Sequence, residues 1–244
     1  MTVLYANTLD YRLTPSGRLL DLGQWNEDVA YSLAEKEGIA LNADHWEVLS
    51  VMRLFYQEYN VAPTRKLLKT ALCDRLGPEK STDAYLDALF PADVQIQGTR
   101  IAGIPEPLLD AELEPAHYAT GPLPDTAARH FIEEFEFDGR SYRVYPRGNL
   151  VDPGDWSERL GKFLAEKEGL ELTPEHWEVV RFLRGFYFQY GITPMVKLLV
   201  KHMQDQEGDQ RINEDYLYEL FPDGPSRQGS RIAGLPEPQG CIDP

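Results

Sequence analysis

The chain repeats itself, and this limits its architecture more than any other feature. Shifted by about 131 residues, WNEDVAYSLAEKEGIALNADHWEVLSVMRLFYQEY falls on WSERLGKFLAEKEGLELTPEHWEVVRFLRGFYFQY without a gap. Trp25 meets Trp156, His45-Trp46-Glu47 meets His176-Trp177-Glu178, and Leu89-Phe90-Pro91 meets Leu220-Phe221-Pro222. Between Trp25 and Pro107 about 37 of about 83 aligned positions are identical. So long a period is that of a duplicated domain, since solenoid repeats are far shorter. Two homologous domains are expected, at residues 1–110 and 130–244. The segment 111–129 between them is loose in Pro, Ala and Gly, has no apolar periodicity and reads as a linker.

Each copy gives the same order of elements. HFIEEFEFDGRSYRVY alternates apolar and polar, with Asp138-Gly139 as a two-residue hairpin turn; VLYANTLDYRLTPSGRLLD is its weaker counterpart. A helix is expected from Trp25 to Glu37, with Trp25, Val29 and Leu33 on one stripe and Gly38 ending it. A second begins at Asn42, or at Thr173 with Pro174 in its first turn. Its apolar face carries Trp46, Leu49, Phe55, Tyr56 and Tyr59. A third starts at Pro63 and Pro194 and buries Leu67, Leu68, Ala71 and Leu72. A short one, AYLDALF or DYLYELF, stops at the following Pro. RIAGIPEP and RIAGLPEP are read as extended arms because of their Gly and Pro content. Strands first and helices after give an α+β class: a small antiparallel meander or hairpin on four to five helices, with a Pro-rich C-terminal arm.

Composition removes several functional classes. Lys and Arg number 24 against 40 Asp and Glu, a net charge of −16, and such a surface repels a phosphate backbone. Helix-turn-helix DNA binding is discouraged on that ground. No apolar run approaches the roughly 18 residues of a membrane span, and MTVLYANTLDYRL has no basic-then-apolar leader pattern. Two cysteines, Cys73 and Cys241, are too few for a disulfide framework, so a reducing, cytoplasmic setting is expected. No phosphate loop, Ser/His/Asp set, paired carboxylates or His/Cys cluster at ligand spacing stands out, and no cofactor or metal is expected.

The motifs HWEV, Arg184 with Phe186-Tyr187, YLYELFP and RIAGLPEPQGC together resemble the DsrC/TusE family of sulfur-relay proteins. The resemblance runs from about Tyr142 to Cys241 in the second copy and from about Tyr11 to Pro107 in the first. It implies a small non-enzymatic carrier whose C-terminal arm presents one cysteine to sulfurtransferase or sulfite-reductase-type partners. Such carriers serve either dissimilatory sulfite reductase or the relay that thiolates the tRNA wobble uridine. A thiolate accepts sulfane sulfur as a persulfide, and it must enter a partner's site to pass it on. Cys241 is therefore the expected acceptor, Pro236 and Pro238 stiffen the arm, and Gly234 and Gly240 are its expected hinges. Members linked to sulfite reduction carry a second cysteine eleven positions earlier. Here that position is Ser230, which favours a single-cysteine relay. The tail also runs on through Ile242, Asp243 and Pro244, and Glu237 stands where members often have Lys. Both changes weigh against the usual sulfite-reductase docking.

In the first copy the cysteine position is Asp110, and the arm runs into the linker, so this domain lacks the reactive group. It is a docking module, a stability prop, or one half of an internal pseudo-dimer in which the halves pack by equivalent helical faces. A different class of function also stands: a non-redox regulatory or scaffold protein that occupies a sulfur enzyme's docking surface. Cys73, whose copy is Gln204, reads as an incidental thiol on a helix. His45 and His176 read as packing or capping residues. For Arg231 and Lys197 two readings remain, solvated charge or support of the arm and its thiol.

Overall fold

The computed structural model describes residues 2–6, 9–107, 132–208 and 211–238. It forms two compact units, Met1–Pro107 and Leu108–Pro244. The linker expected at 111–129 lies outside the described residues.

The first unit opens with an antiparallel hairpin, β1 (Thr2–Ala6) on β2 (Leu9–Leu13), in register Thr2 with Leu13 through Ala6 with Leu9. The expected meander shrinks to this pair plus one bridge, Leu13 to Leu19. Five helices follow: α1 (Glu27–Lys36), α2 (Ala43–Tyr59), α3 (Arg65–Leu76), α4 (Asp83–Leu89) and α5 (Thr99–Ala102). The second unit repeats the plan with β3 (Glu133–Phe137), β4 (Arg140–Val144) and a Val144–Leu150 bridge. Its helices are α6 (Glu158–Lys167), α7 (Pro174–Tyr190), α8 (Val196–Glu207), α9 (Glu214–Leu220) and α10 (Arg227–Ile232). No described helix is long and apolar enough to cross a membrane.

Local chemistry sets the boundaries. Asp138 and Gly139 both take positive φ, 54° and 75°, the pairing that lets a two-residue turn follow the strand twist. The first helix of each unit starts two residues later than the indole suggests. Asn26 and Ser157 cap it by accepting from Val29 and Leu160 N–H, so Trp25 and Trp156 stand just outside. The third helix likewise starts at Arg65 and Val196, past the proline, because Thr64 and Met195 take extended backbone.

α2 and α7 begin with a capping arrangement built on histidine. Asn42 N–H donates to His45 Nδ1 (3.3 Å), and Thr173 N–H to His176 Nδ1 (3.1 Å). The other ring nitrogen donates across the core to a carbonyl at the end of the fourth helix, Leu89 O (2.9 Å) or Leu220 O (2.8 Å). Both histidines therefore fasten the second helix to the fourth. Among the described residues no group of His, Cys, Asp and Glu is placed to hold a metal ion.

One expectation is corrected. RIAG is not the start of an extended arm: in both copies its first residues are the last turn of α5 or α10. Ile101, Ala102, Ile232 and Ala233 are fully buried there. Burial of two apolar groups and a glycine C-cap outweigh the low helix propensity of the segment. Gly103 and Gly234 end these turns with φ of 61° and 62°.

Gly234 tests this packing. An added Cβ would lie 2.5 Å from Trp156 Cδ1 and 2.7 Å from Leu150 Cδ1, whereas one at Gly169, also of positive φ (72°), meets nothing within 4 Å. Gly234→Ala is expected to cost roughly 2–4 kcal/mol and Gly169→Ala only about 1 kcal/mol, measured by denaturant unfolding. Equal costs would show that the indole does not pin this turn.

Candidate functional site

The site is the seat of the arm that leads to Cys241. Its centre is a two-residue clamp on the end of α10. Trp156 Nε1 donates to Ile232 O (2.8 Å), and Arg184 Nη1 donates to the next carbonyl, Ala233 O (2.7 Å). The Arg184 guanidinium lies over the Trp156 ring, 4.1 Å from its centroid, and its Nη2 reaches Pro153 O (3.2 Å). Burial pulls the Arg184 guanidinium below the ordinary arginine value; both donors stay in place because arginine remains charged under all ordinary conditions. The first unit carries the same clamp. Trp25 Nε1 donates to Ile101 O (2.7 Å), Arg53 Nη1 to Ala102 O (2.5 Å), and Arg53 lies 3.5 Å from the Trp25 centroid. Burial lowers Arg53 in the same direction.

Trp156 has a second duty. It is packed against two clusters at once, the one of Tyr142, Val144, Leu150, Leu160 and Leu164 under the hairpin and the helical one that includes Leu183, Ile232 and Leu235. The clamp thus sits where hairpin, helices and arm meet.

Beyond Gly234 the arm continues without helix or strand and stays docked. Leu235 is fully buried, and Asn149 Nδ2 donates to its carbonyl (2.7 Å) and to Ser230 Oγ (3.3 Å). Thr193 Oγ1 donates to Pro236 O (2.7 Å), Arg147 pairs with Glu237, and Pro238 is buried. Ser230 itself is fully buried and donates to Arg227 O (2.8 Å).

The residues singled out from sequence fall in different places. Cys241 and Gly240 lie outside the described residues. Gly234 closes the last turn of α10 just beyond the two clamped carbonyls of Ile232 and Ala233, with its backbone wedged against Trp156 and Leu150. Arg231 forms a two-bond ion pair with Glu168 at the end of α6 (2.8 and 2.7 Å). Its counterpart Arg100 pairs with Glu37 (2.8 Å), so each arginine ties the base of its arm to the first helix of its unit. Lys197 is exposed on α8 and bonds to no described arm residue. Cys73 is exposed on α3.

Sequence reasoning missed Asn149, Thr193, Arg147 and the clamp role of Arg184 with Trp156. The clamp had a signal: both its members are identical in the two copies, although fewer than half of the aligned positions are. The others had none, since their first-copy positions hold Arg18, Ala62 and Ser16.

Comparison with known proteins decides the relationship. The family model described as "DsrC like protein" matches twice, over residues 6–109 and 136–242. The chain belongs to the DsrC-like family, as a tandem duplication. Sulfurtransferase TusE of Pectobacterium atrosepticum is 49% identical over 107 residues, 44% of this chain and 98% of that protein. Sulfurtransferase TusE of Escherichia coli K12 is 46% identical over 106 residues, 43% of this chain and 97% of that protein. Among solved structures, DsrC of Allochromatium vinosum is similar at 40% identity and a TM-score of 0.43, covering 46% of this chain and all of that one. In this DsrC-like chain both copies keep the clamp, although only the second is followed by a cysteine.

The clamp is open to test. Arg184→Ala strands two backbone acceptors and is expected to cost roughly 2–3 kcal/mol. Arg184→Lys restores one charged donor but not the stacked fork and should recover about half of that. Thermal unfolding measures both, and amide exchange at Gly234 and Leu235 should accelerate in the same order.

Proposed function

We propose that this protein is a persulfide carrier that takes sulfane sulfur onto Cys241 and passes it between partner proteins. The observation that carries this reading is the anchored arm. It is held by side chains of the turn after β4, of α7 and of the loop before α8 as far as Glu237, and Pro238, three residues short of the thiol, is buried. A carrier needs a firmly seated body and a thiol displaced from it; Cys73, on the flank of a helix and replaced by Gln204 in the other copy, meets only part of that need. Membership of the DsrC-like family and the kinship with TusE sulfurtransferases support a sulfur-relay role.

In the loading step the Cys241 thiolate attacks the outer sulfur of a donor's cysteine persulfide. A bond forms between Cys241 Sγ and that sulfur as the donor's S–S bond breaks, and the donor's own thiolate leaves with the electron pair. The proton on the outer sulfur travels with it or is returned by water, and no external oxidant or reductant is consumed. Delivery is the same displacement with an acceptor thiolate as nucleophile. Ser230, at the position where some relatives hold a second cysteine, cannot intercept the persulfide to close an internal disulfide. The sulfur on Cys241 therefore meets no second cysteine within its own arm and leaves by transfer to another molecule.

The first copy, which has Asp110 in place of an arm cysteine, supplies surface and no arm thiol in this scheme, as half of an internal pseudo-dimer or as a docking module for the partners.

Intact-mass measurement after incubation with a thiosulfate-loaded rhodanese tests the assignment. One sulfur is expected on the wild type and on Cys73→Ser, and none on Cys241→Ser. Uptake that survives Cys241→Ser and vanishes in Cys73→Ser would overturn it. Air oxidation is expected to give covalent dimers through Cys241 on non-reducing gels, with little Cys73–Cys241 disulfide within one chain.

A further inference from the structure

The duplication supplies an internal control on the arm. Both copies share the inner anchors: the indole and the arginine on successive carbonyls, and the arginine–glutamate pair at the base. Both also keep the Pro-Glu-Pro sequence that follows. They differ in what holds that outer segment. In the first copy Arg18 does it alone among the described residues, with Nη1 on Thr99 Oγ1 (2.9 Å) and Ile104 O (3.4 Å) and Nη2 on Glu106 (2.7 Å). Pro105 and Glu106 are exposed there. In the second copy Asn149 takes the place of Arg18 and holds only Leu235 O and Ser230. Two further residues grip the outer arm: Thr193, where the first copy has Ala62, bonds Pro236 O, and Arg147, where it has Ser16, pairs with Glu237. Pro236 and Glu237 are correspondingly half-covered.

We propose that Thr193 and Arg147 are positioning residues for Cys241, a two-point clasp present only in the copy that has a thiol to place. The inference rests on the carrier reading above. With the clasp closed the arm is anchored through Pro238 and three residues separate the anchor from the sulfur, a span of about 10 Å at most. With it open the anchor falls back to Leu235, held by Asn149 and by its own burial, and six residues, about 20 Å, intervene. Doubling the tether dilutes the thiol around a docked partner by about three-fold, because effective concentration falls as the −3/2 power of length. The two points differ in kind. Thr193 is buried and its bond is insensitive to salt, while Arg147 is 69% exposed and its pair with Glu237 is screened by salt. The proposed effect is on where the sulfur is and not on how reactive it is.

Substituting the first copy's own residues is the gentlest probe, because a sister domain folds with them. The full chain carrying Cys73→Ser serves as parent, with Arg147→Ser, Thr193→Ala, the double variant and Thr193→Ser. The amide heteronuclear NOE of Glu237 should match that of Leu235 in the parent and fall in the double variant while Leu235 stays rigid; Thr193→Ser should behave as the parent. Raising salt from about 0.05 to 0.5 M should loosen Glu237 in the parent and in Thr193→Ala, and add nothing in Arg147→Ser. Sulfur uptake by the double variant from thiosulfate-loaded rhodanese should slow about three-fold, with alkylation of Cys241 by iodoacetamide changed less than two-fold. A Glu237 NOE equal in parent and double variant overturns the clasp, as does loosening of Leu235 along with it. An unchanged uptake rate overturns its positioning role. Absence of uptake in the parent itself overturns the carrier reading instead, and leaves the NOE to decide the clasp.

Discussion

Each domain is organised around an indole N–H that donates to a backbone carbonyl at the end of the arm helix, with an arginine stacked on the same ring and bonded to the next carbonyl. A helix end leaves its last carbonyls without partners, and here they are buried, so something must satisfy them. A donor from the loop before the first helix and a cation from the middle of the second meet that need together. Because Trp156 also packs beneath the hairpin, one side chain links three parts of the unit that share no strand or helix. The left-handed glycine after it, the buried Leu235 and the docked prolines all follow from that fixed point.

The same requirement accounts for what the sequence disclosed and what it concealed. Helices announced themselves where capping and apolar spacing agreed, as at Asn42 and Thr173, and the hairpin where Asp138-Gly139 demanded two positive φ angles. RIAG was misjudged because its composition favours extension, while its burial, which composition does not report, favours a helical turn. At Gly234 composition signals the positive φ but not the packing around it, the indole and the Leu150 side chain within 3 Å of its missing Cβ. The outer grip of Thr193 and Arg147 was illegible for a simpler cause: it depends on residues the two copies do not share.

The histidines show how far a bland reading can carry. HWEV invites thoughts of metal, yet each imidazole spends one nitrogen on its own helix start and the other on the last turn of the fourth helix. Those bonds occupy both ring nitrogens and tie the second helix to the end of the fourth. The family relationship then adds what geometry alone does not supply, namely that chains of this build are named for sulfur transfer.

The clamp grips main-chain oxygen, not side chains. Neither bond asks which side chain the arm carries further on, so the position three residues past Pro107 or Pro238 can be aspartate in one copy and cysteine in the other with both bonds unchanged. The inner turn has no such latitude: its glycine is fixed by the indole beside it and its apolar neighbours by burial. Freedom to vary begins only where the grip ends.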